Sequence, residues 1–202
     1  MTDTLIFSKQ IDDVLSGRAN RDTVLILGDV PRMYLPFGVP HFKLAMTQRT
    51  LHKIITKHNL DIGIIKRLPA LLKKPIFVFQ SATEPNALVV VIDATDKDKN
   101  AVIVIIHPDR QHQQHRINRI ASVYSKRRIQ WFNEQIEKDR LLYADKEKAL
   151  HWSQSAQFQL LGEVTDAKHI KNLSRNLQKV KKNQSFSTLT LNRKKGSDNE
   201  NQ

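Results

Sequence analysis

Three apolar runs in the middle of the chain restrict its fold more than anything else in the sequence. They are PIFVFQ (75–80), ALVVVID (87–93) and AVIVIIH (101–107). Each has the length of one strand and is rich in Val, Ile or Phe, whose branched or flat side chains pack well on a pleated surface. The links between them, 81–86 and 94–100, are short and mostly polar. A parallel pair needs a crossover of about a dozen residues or more. These links are too short for one, so the three runs are expected to form an antiparallel meander. Pro108 and Asp109 are expected to end the third run. Arg116–Tyr124 beyond them then has to be a fourth strand or an irregular edge segment.

Helical spacing lies on both sides of the meander. Ile6, Phe7, Ile11, Val14 and Leu15 recur at helical steps, and Gly17 stops that run. TVLIL (23–27) reads as a short strand ending at Gly28, and Pro31 can start a helix through Leu35. Phe42–Met46 reads as a brief strand. Thr47 is placed to cap a helix through about Asn59, with Leu51, Ile54, Ile55 and His58 along one side. Asp61 can cap a second helix carrying Ile62, Ile65 and Leu68, which Pro69 interrupts. Beyond the meander, Ile129, Phe132 and Ile136 mark a helix within 128–140, and Asp145 can cap a last one over 146–152.

The expected architecture is therefore α+β, with N-terminal helices packed on a roughly four-stranded antiparallel sheet and helices again at the C-terminal side. From Val164 onward Lys, Asn, Ser and Gln displace the apolar residues, and the chain reads as mostly disordered. The expected division is a domain over 1–165 and a basic tail over 166–202. Residues 168–180 have the composition to form a helix on a partner.

Charge narrows the class of partner. The chain carries 33 Lys and Arg against 20 Asp and Glu, a net charge of +13. The tail holds nine of those cations and three of those acids, so the excess is not confined to it. An anionic polymer is the natural partner of such a chain. A membrane surface is less favoured, because no strongly amphipathic basic helix is visible. The absence of cysteine excludes a disulfide scaffold, a thiolate zinc site and a cysteine nucleophile, and it fits a reducing cytoplasm. No apolar run has the length of a membrane span, and MTDTLIFSKQ lacks the basic flank and apolar centre of a signal peptide.

The chemistry-bearing residues concentrate in QHQQHRINRIASVYSKRR (111–128). This stretch holds two imidazoles, four amides, three hydroxyls and five cations, with Ile117, Ile120, Ala121 and Val123 available as anchors. A positive, hydrogen-bonding surface of this kind suits a phosphodiester backbone. Neither a dinucleotide fingerprint nor a P-loop occurs, and there is no HExxH and no GxSxG. His112 and His115 stand near His107, but a zinc site needs further ligands, so no metal and no cofactor is expected.

What remains is metal-free phosphoryl transfer on RNA, which carries its own nucleophile in the 2′-hydroxyl. It needs a base for that hydroxyl, an acid for the leaving 5′-oxygen and cations for the developing charge. The stretch has those residue types, and Lys57–His58 adds more at a helix end. There the helix dipole would favour the protonated form of His58. Two plainer readings stay open. The stretch reads equally as a solvated basic face beside a strand, and His58 as a helix-end cap or packing residue.

Three runs add a resemblance: TQRTLHKIITKHNL (47–60), LPALLKKPIFVFQSATEPNALVVV (68–91) and NRIASVYSKRRIQWFNEQIEKDRLLYADKEKAL (118–150). Together with GEVT (162–165) they closely resemble the MuF C-terminal domain family of phage and mobile-element proteins, over roughly 15–165. The family is placed in the barnase, EndoU, colicin and RelE-like nuclease superfamily. The resemblance implies a compact α+β fold and a metal-independent endoribonuclease acting as a toxin or phage effector, bacterial or phage-encoded, in the cytoplasm or delivered into a target cell. The family's Lys-His pair matches Lys57 and His58, and its Ser-Ala-Thr turn matches Ser81, Ala82 and Thr83. Its N-x-I-x-S-V-Y segment matches Asn118, Ile120, Ser122, Val123 and Tyr124, with Lys126 just beyond; Ser125 stands where the family often has glycine.

On this basis His58 is the expected acid or base. Ser122 and Tyr124 contact or protonate the phosphate, and Lys126 stabilises its charge. Asn118 orients the substrate, Ser81 and Thr83 line the cleft, and Lys57, Arg116, Arg119 and Arg127 hold phosphates. RNA is the expected partner, with an antitoxin or immunity protein as a second. Two other classes compete: a non-catalytic phage nucleic-acid-binding module, and a protein-interaction or immunity module.

Overall fold

The computed structural model describes residues 2–20 and 22–152. The GEVT segment, the helix expected around 168–180 and the basic tail lie outside the described residues. Two compact units are present. The first runs through Arg128 and includes Arg140–Ala149; the second includes Ile129–Asp139 and, among the described residues, Leu150–Trp152.

The first unit is built on one sheet of seven strands rather than about four. They are β1 (Val24–Asp29), β2 (Lys43–Thr47), β3 (Phe77–Gln80), β4 (Leu88–Thr95), β5 (Ala101–His112), β6 (His115–Lys126) and β7 (Leu141–Ala144). Their order is β1-β2-β6-β5-β4-β3-β7. The expected meander β3-β4-β5-β6 forms its antiparallel middle. Two additions widen it. The early strands β1 and β2 join as an antiparallel pair, and β2 then lies parallel to β6. On the far side β7 pairs with β3. Its four residues, LLYA, are too few to show alternation in sequence, and all four are half-buried.

One expectation for the meander's end changes. Pro108 and Asp109 do not end β5, which continues to His112. They form a bulge in it, with no pairing between His107 and Arg110 and with Asp109 left-handed at φ 53°. A bulge is where a strand accepts a proline, which has no N–H for the ladder. Of the two readings of 116–124, the fourth strand is the one found: it lies within β6, paired with β5 along one side and with β2 at Asn118 and Arg119 on the other.

Helices α1 (Asp3–Leu15), α2 (Gln48–Thr56), α3 (Ile62–Lys66) and α4 (Leu68–Leu71) belong to the same unit, with a 3-10 turn at Arg32–Phe37. Thr47 caps α2 by accepting from Thr50 N, and Asp61 caps α3 by accepting from Gly63 N and Ile64 N. Phe7, Ile11, Leu51, Ile54, Ile65 and Leu68 join Val90, Val102, Val104, Ile106, Ile120 and Val123 in one apolar cluster. Each such burial is worth roughly 1.5–3 kcal/mol. The alternate residues Phe77, Phe79, Val91 and Ile103 are buried too. Burial on both faces explains why the strand runs read as continuous apolar stretches rather than alternating ones.

In the second unit α5 (Ile129–Glu137) ends where Asp139 turns left-handed at φ 54°. Phe132 meets Trp131 and Trp152 edge-on at 5.0 and 4.9 Å. Back in the first unit, Asp145 caps the helical turn that begins at Lys146, accepting from Lys148 N at 3.1 Å. No helix among the described residues is long and apolar enough to cross a membrane.

Candidate functional site

The polar groups of β6 are sorted by a single extra residue. Ile106 lies opposite Ile120, but its neighbour Ile105 lies opposite Ser122. Ala121 is therefore a bulge, one residue with no counterpart on β5. Side chains alternate along a strand, so without it residues 119 and 122 would point to opposite faces. With it, Arg119, Ser122, Tyr124 and Lys126 share one face, opposite His107, Ile105, Ile103 and Ala101 in turn. Ile120 and Val123 point the other way, into the apolar cluster.

His58 reaches this face from the end of α2. Strand β2 pairs with β6 only at Asn118 and Arg119, and α2 follows it at once and packs along β6. Leu51 and Ile54 bury the helix's inner side. The chain then turns sharply at Asn59, left-handed at φ 48°, a conformation that asparagine tolerates at helix ends. His58 N donates to Lys53 O at 3.3 Å inside that turn.

The imidazole Nε2 comes to 3.4 Å from Ser122 Oγ, and the ring lies 5.6 Å from that of Tyr124, tilted by 35°. His58, Ser122 and Tyr124 are thus brought together from chain positions more than 60 residues apart. The 3.4 Å contact is long for a hydrogen bond, a loose pairing that leaves the imidazole free to engage another group.

The electrostatics run against the helix-dipole expectation. Burial lowers the His58 pKa below its ordinary 6.5, and the charges of Lys53 and Lys57 lower it further. The imidazole is accordingly neutral at pH 7. Burial has the opposite effect on Tyr124, raising its pKa and keeping the phenol protonated. A neutral imidazole therefore stands beside two O–H groups: a proton acceptor next to proton donors.

The remaining expected residues divide between this site and the scaffold. Lys126 is the next residue along the same face, and the exposed Arg127 follows the strand end. Lys57 is exposed and acts on His58 through its charge. Asn118 is fully buried. Its Nδ2 donates to Pro40 O at 2.8 Å and Phe42 O at 2.9 Å, and its Oδ1 accepts from Asp109 N at 3.2 Å. It ties the loop before β2 to the β5 bulge and presents nothing to a substrate. Arg116 is paired with Asp109 and lies over the Phe42 ring at 5.3 Å. Ser81 Oγ accepts from Thr83 N and Glu84 N, holding the β3–β4 turn. That turn also carries Glu84, which pairs with Arg110.

Sequence reasoning assigned no role to His107 and Arg110. His107 is directly opposite Arg119, with its pKa lowered by burial and by Arg110 and Arg119, and raised in part by Glu84. Its place was legible as the next alternate residue after Ile103 and Ile105. Its nearness to Ser122 was not, because that depends on the bulge. A cleft of about 550 Å³ opens beside these residues, lined by Pro40, Glu84, Asp109 and Arg110 among others. Among the described residues, no three His, Asp or Glu side chains are grouped so as to hold a metal ion.

A family model described as the phage MuF C-terminal domain matches residues 49–151, a span that contains every residue of this site. No curated protein and no solved structure matches the chain.

Proposed function

The chain belongs to the phage MuF C-terminal domain family, and from that membership and the His58–Ser122–Tyr124 grouping we propose that it is a metal-independent endoribonuclease of the barnase, EndoU, colicin and RelE-like kind. The observation that carries the reading is the neutral imidazole of His58 set 3.4 Å from Ser122 and against Tyr124. His58 takes the proton of the 2′-hydroxyl. The 2′-oxygen forms a bond to phosphorus, and the bond from phosphorus to the 5′-oxygen breaks. Tyr124 gives its phenolic proton to that leaving oxygen. The products are a 2′,3′-cyclic phosphate and a 5′-hydroxyl. The buried phenolate, disfavoured by its surroundings, regains a proton from solvent, and His58 releases the one it took. Ser122 donates to a non-bridging oxygen, while Lys126 and Arg127 balance the charge that develops on the phosphate.

Labelled RNA incubated with the full chain in EDTA tests this reading. Cleavage with 2′,3′-cyclic ends is expected. Salt-sensitive binding with no cleavage would leave a nucleic-acid-binding module, and neither binding nor cleavage would leave a protein-interaction module. As a toxin or phage effector acting on cytoplasmic RNA, the protein should arrest growth on expression, with relief by a cognate inhibitor.

A further inference from the structure

We propose that His107, Arg110 and Arg119 form a second phosphate subsite, which holds the nucleotide next to the one cleaved at His58. The proposal rests on the ribonuclease reading for the nature of its ligand. Its placement comes from the sheet. The pair His107–Arg119 is the next rung after Ile105–Ser122, on the same face. Two residues along a strand advance by roughly 6.6 Å, a step comparable with that between successive phosphates of an extended nucleic-acid strand. Arg110, beyond the Asp109 bulge, is opposite Ile117 and pairs with Glu84.

The hydrogen bonding of this group points the same way. His107 Nδ1, Arg110 Nε and Arg119 Nε are all buried and have no hydrogen-bond partner among the described residues. A buried polar atom left unpaired costs free energy, so three on neighbouring residues of one hairpin need a reason. Arg119 also forms no ion pair among the described residues, whereas the two other arginines of this hairpin do, Arg110 with Glu84 and Arg116 with Asp109. Glu84 offsets one of the two guanidinium charges here and leaves the other uncompensated. An anion with several acceptor oxygens satisfies both the unpaired nitrogens and that charge. Arginine suits the task because its planar fork matches phosphate geometry.

The test uses chimeric oligonucleotides with a single ribose, so that one phosphate is cleavable, with or without one further phosphate on the 5′ or the 3′ side. For the native chain, a further phosphate on one side is expected to lower KM by at least about tenfold. In Arg119→Gln and His107→Gln that ratio should fall towards one, and Arg119→Lys should keep part of it. A ratio unchanged in both Gln variants, with melting curves showing both folded, overturns the subsite. So does a native chain for which neither added phosphate matters. If the native chain cleaves no oligomer, the ribonuclease reading fails. The same oligomers in all-deoxy form then report binding, and a length preference lost in Arg119→Gln still supports the subsite, while no length preference overturns it.

Discussion

The two halves of β6 use similar residues for opposite purposes. Before Ala121 the strand has a neighbour on each side: Asn118 and Arg119 pair with β2, and Arg119 and Ile117 pair with β5. There Asn118 is sealed in and every polar group of its amide is engaged. After Ala121 the β2 side is taken by a helix, and Ser122 and Tyr124 meet only a loosely placed imidazole. A short polar side chain between two strands, like that of Asn118, is drawn into the scaffold, whereas the longer Arg119 keeps an Nε with no partner among the described residues. A polar side chain beside a helix end keeps unused hydrogen-bonding capacity, which is what a reactive site requires.

The sharpest way to break this comparison is Asn118→Ala. It leaves two carbonyls and one N–H without their partner, so we expect a loss of about 3 kcal/mol or more in urea unfolding, at roughly 1–3 kcal/mol per unsatisfied group. A loss below about 1 kcal/mol would show that the first half of β6 does not depend on its buried amide.

The second half should respond in the reverse sense. His58→Ala and Lys126→Ala are each expected to lower RNA cleavage at least about tenfold, within the usual range for acid–base and charge-stabilising groups, while unfolding free energy changes little. Unchanged rates in both would remove these residues from the chemistry. Tyr124→Phe sharpens the division of labour: it should slow cleavage of natural RNA, yet slow much less a substrate whose leaving group needs no proton. An equal effect on both substrates would remove Tyr124 from the role of acid.

The smallest expected effect is that of pH. As the base, His58 must be neutral, so kcat/KM should rise with pH through a pKa below 6.5 and then level off. Stability should follow the same sign. His58 and His107 both have lowered pKa values in the folded chain, so the unfolded chain binds more protons just below pH 6.5. Stability is then full above that pH and declines as pH falls through it. A profile that rises towards acid would overturn the neutral-imidazole assignment.

Much of the fold was legible because its signals are local. The caps at Thr47 and Asp61, the stop at Gly17 and the meander all follow from neighbouring residues. The longer reach of β5 was hidden, because a proline inside a strand is tolerated only at a bulge and nothing nearby announces one. Asn118 was misassigned to the substrate for a similar reason. Its type suits either role, and its three partners come from Pro40, Phe42 and Asp109, which only the folded chain brings to it.

The sequence by itself determined most of the strands and helices, the caps of α2 and α3, and that a set of imidazole, hydroxyl and ammonium groups is present in a basic chain. Those properties depend on alternation, helical period and charge, which are written in adjacent residues. The tertiary structure alone decided that His58 stands against Ser122 and Tyr124, that Arg119 and His107 share their face, and that the His58 pKa is lowered. The first two depend on the parallel contact of β2 with β6 and on the bulge at Ala121, and the third on burial. Each is set by what the chain packs against, and distance along the sequence carries no record of that.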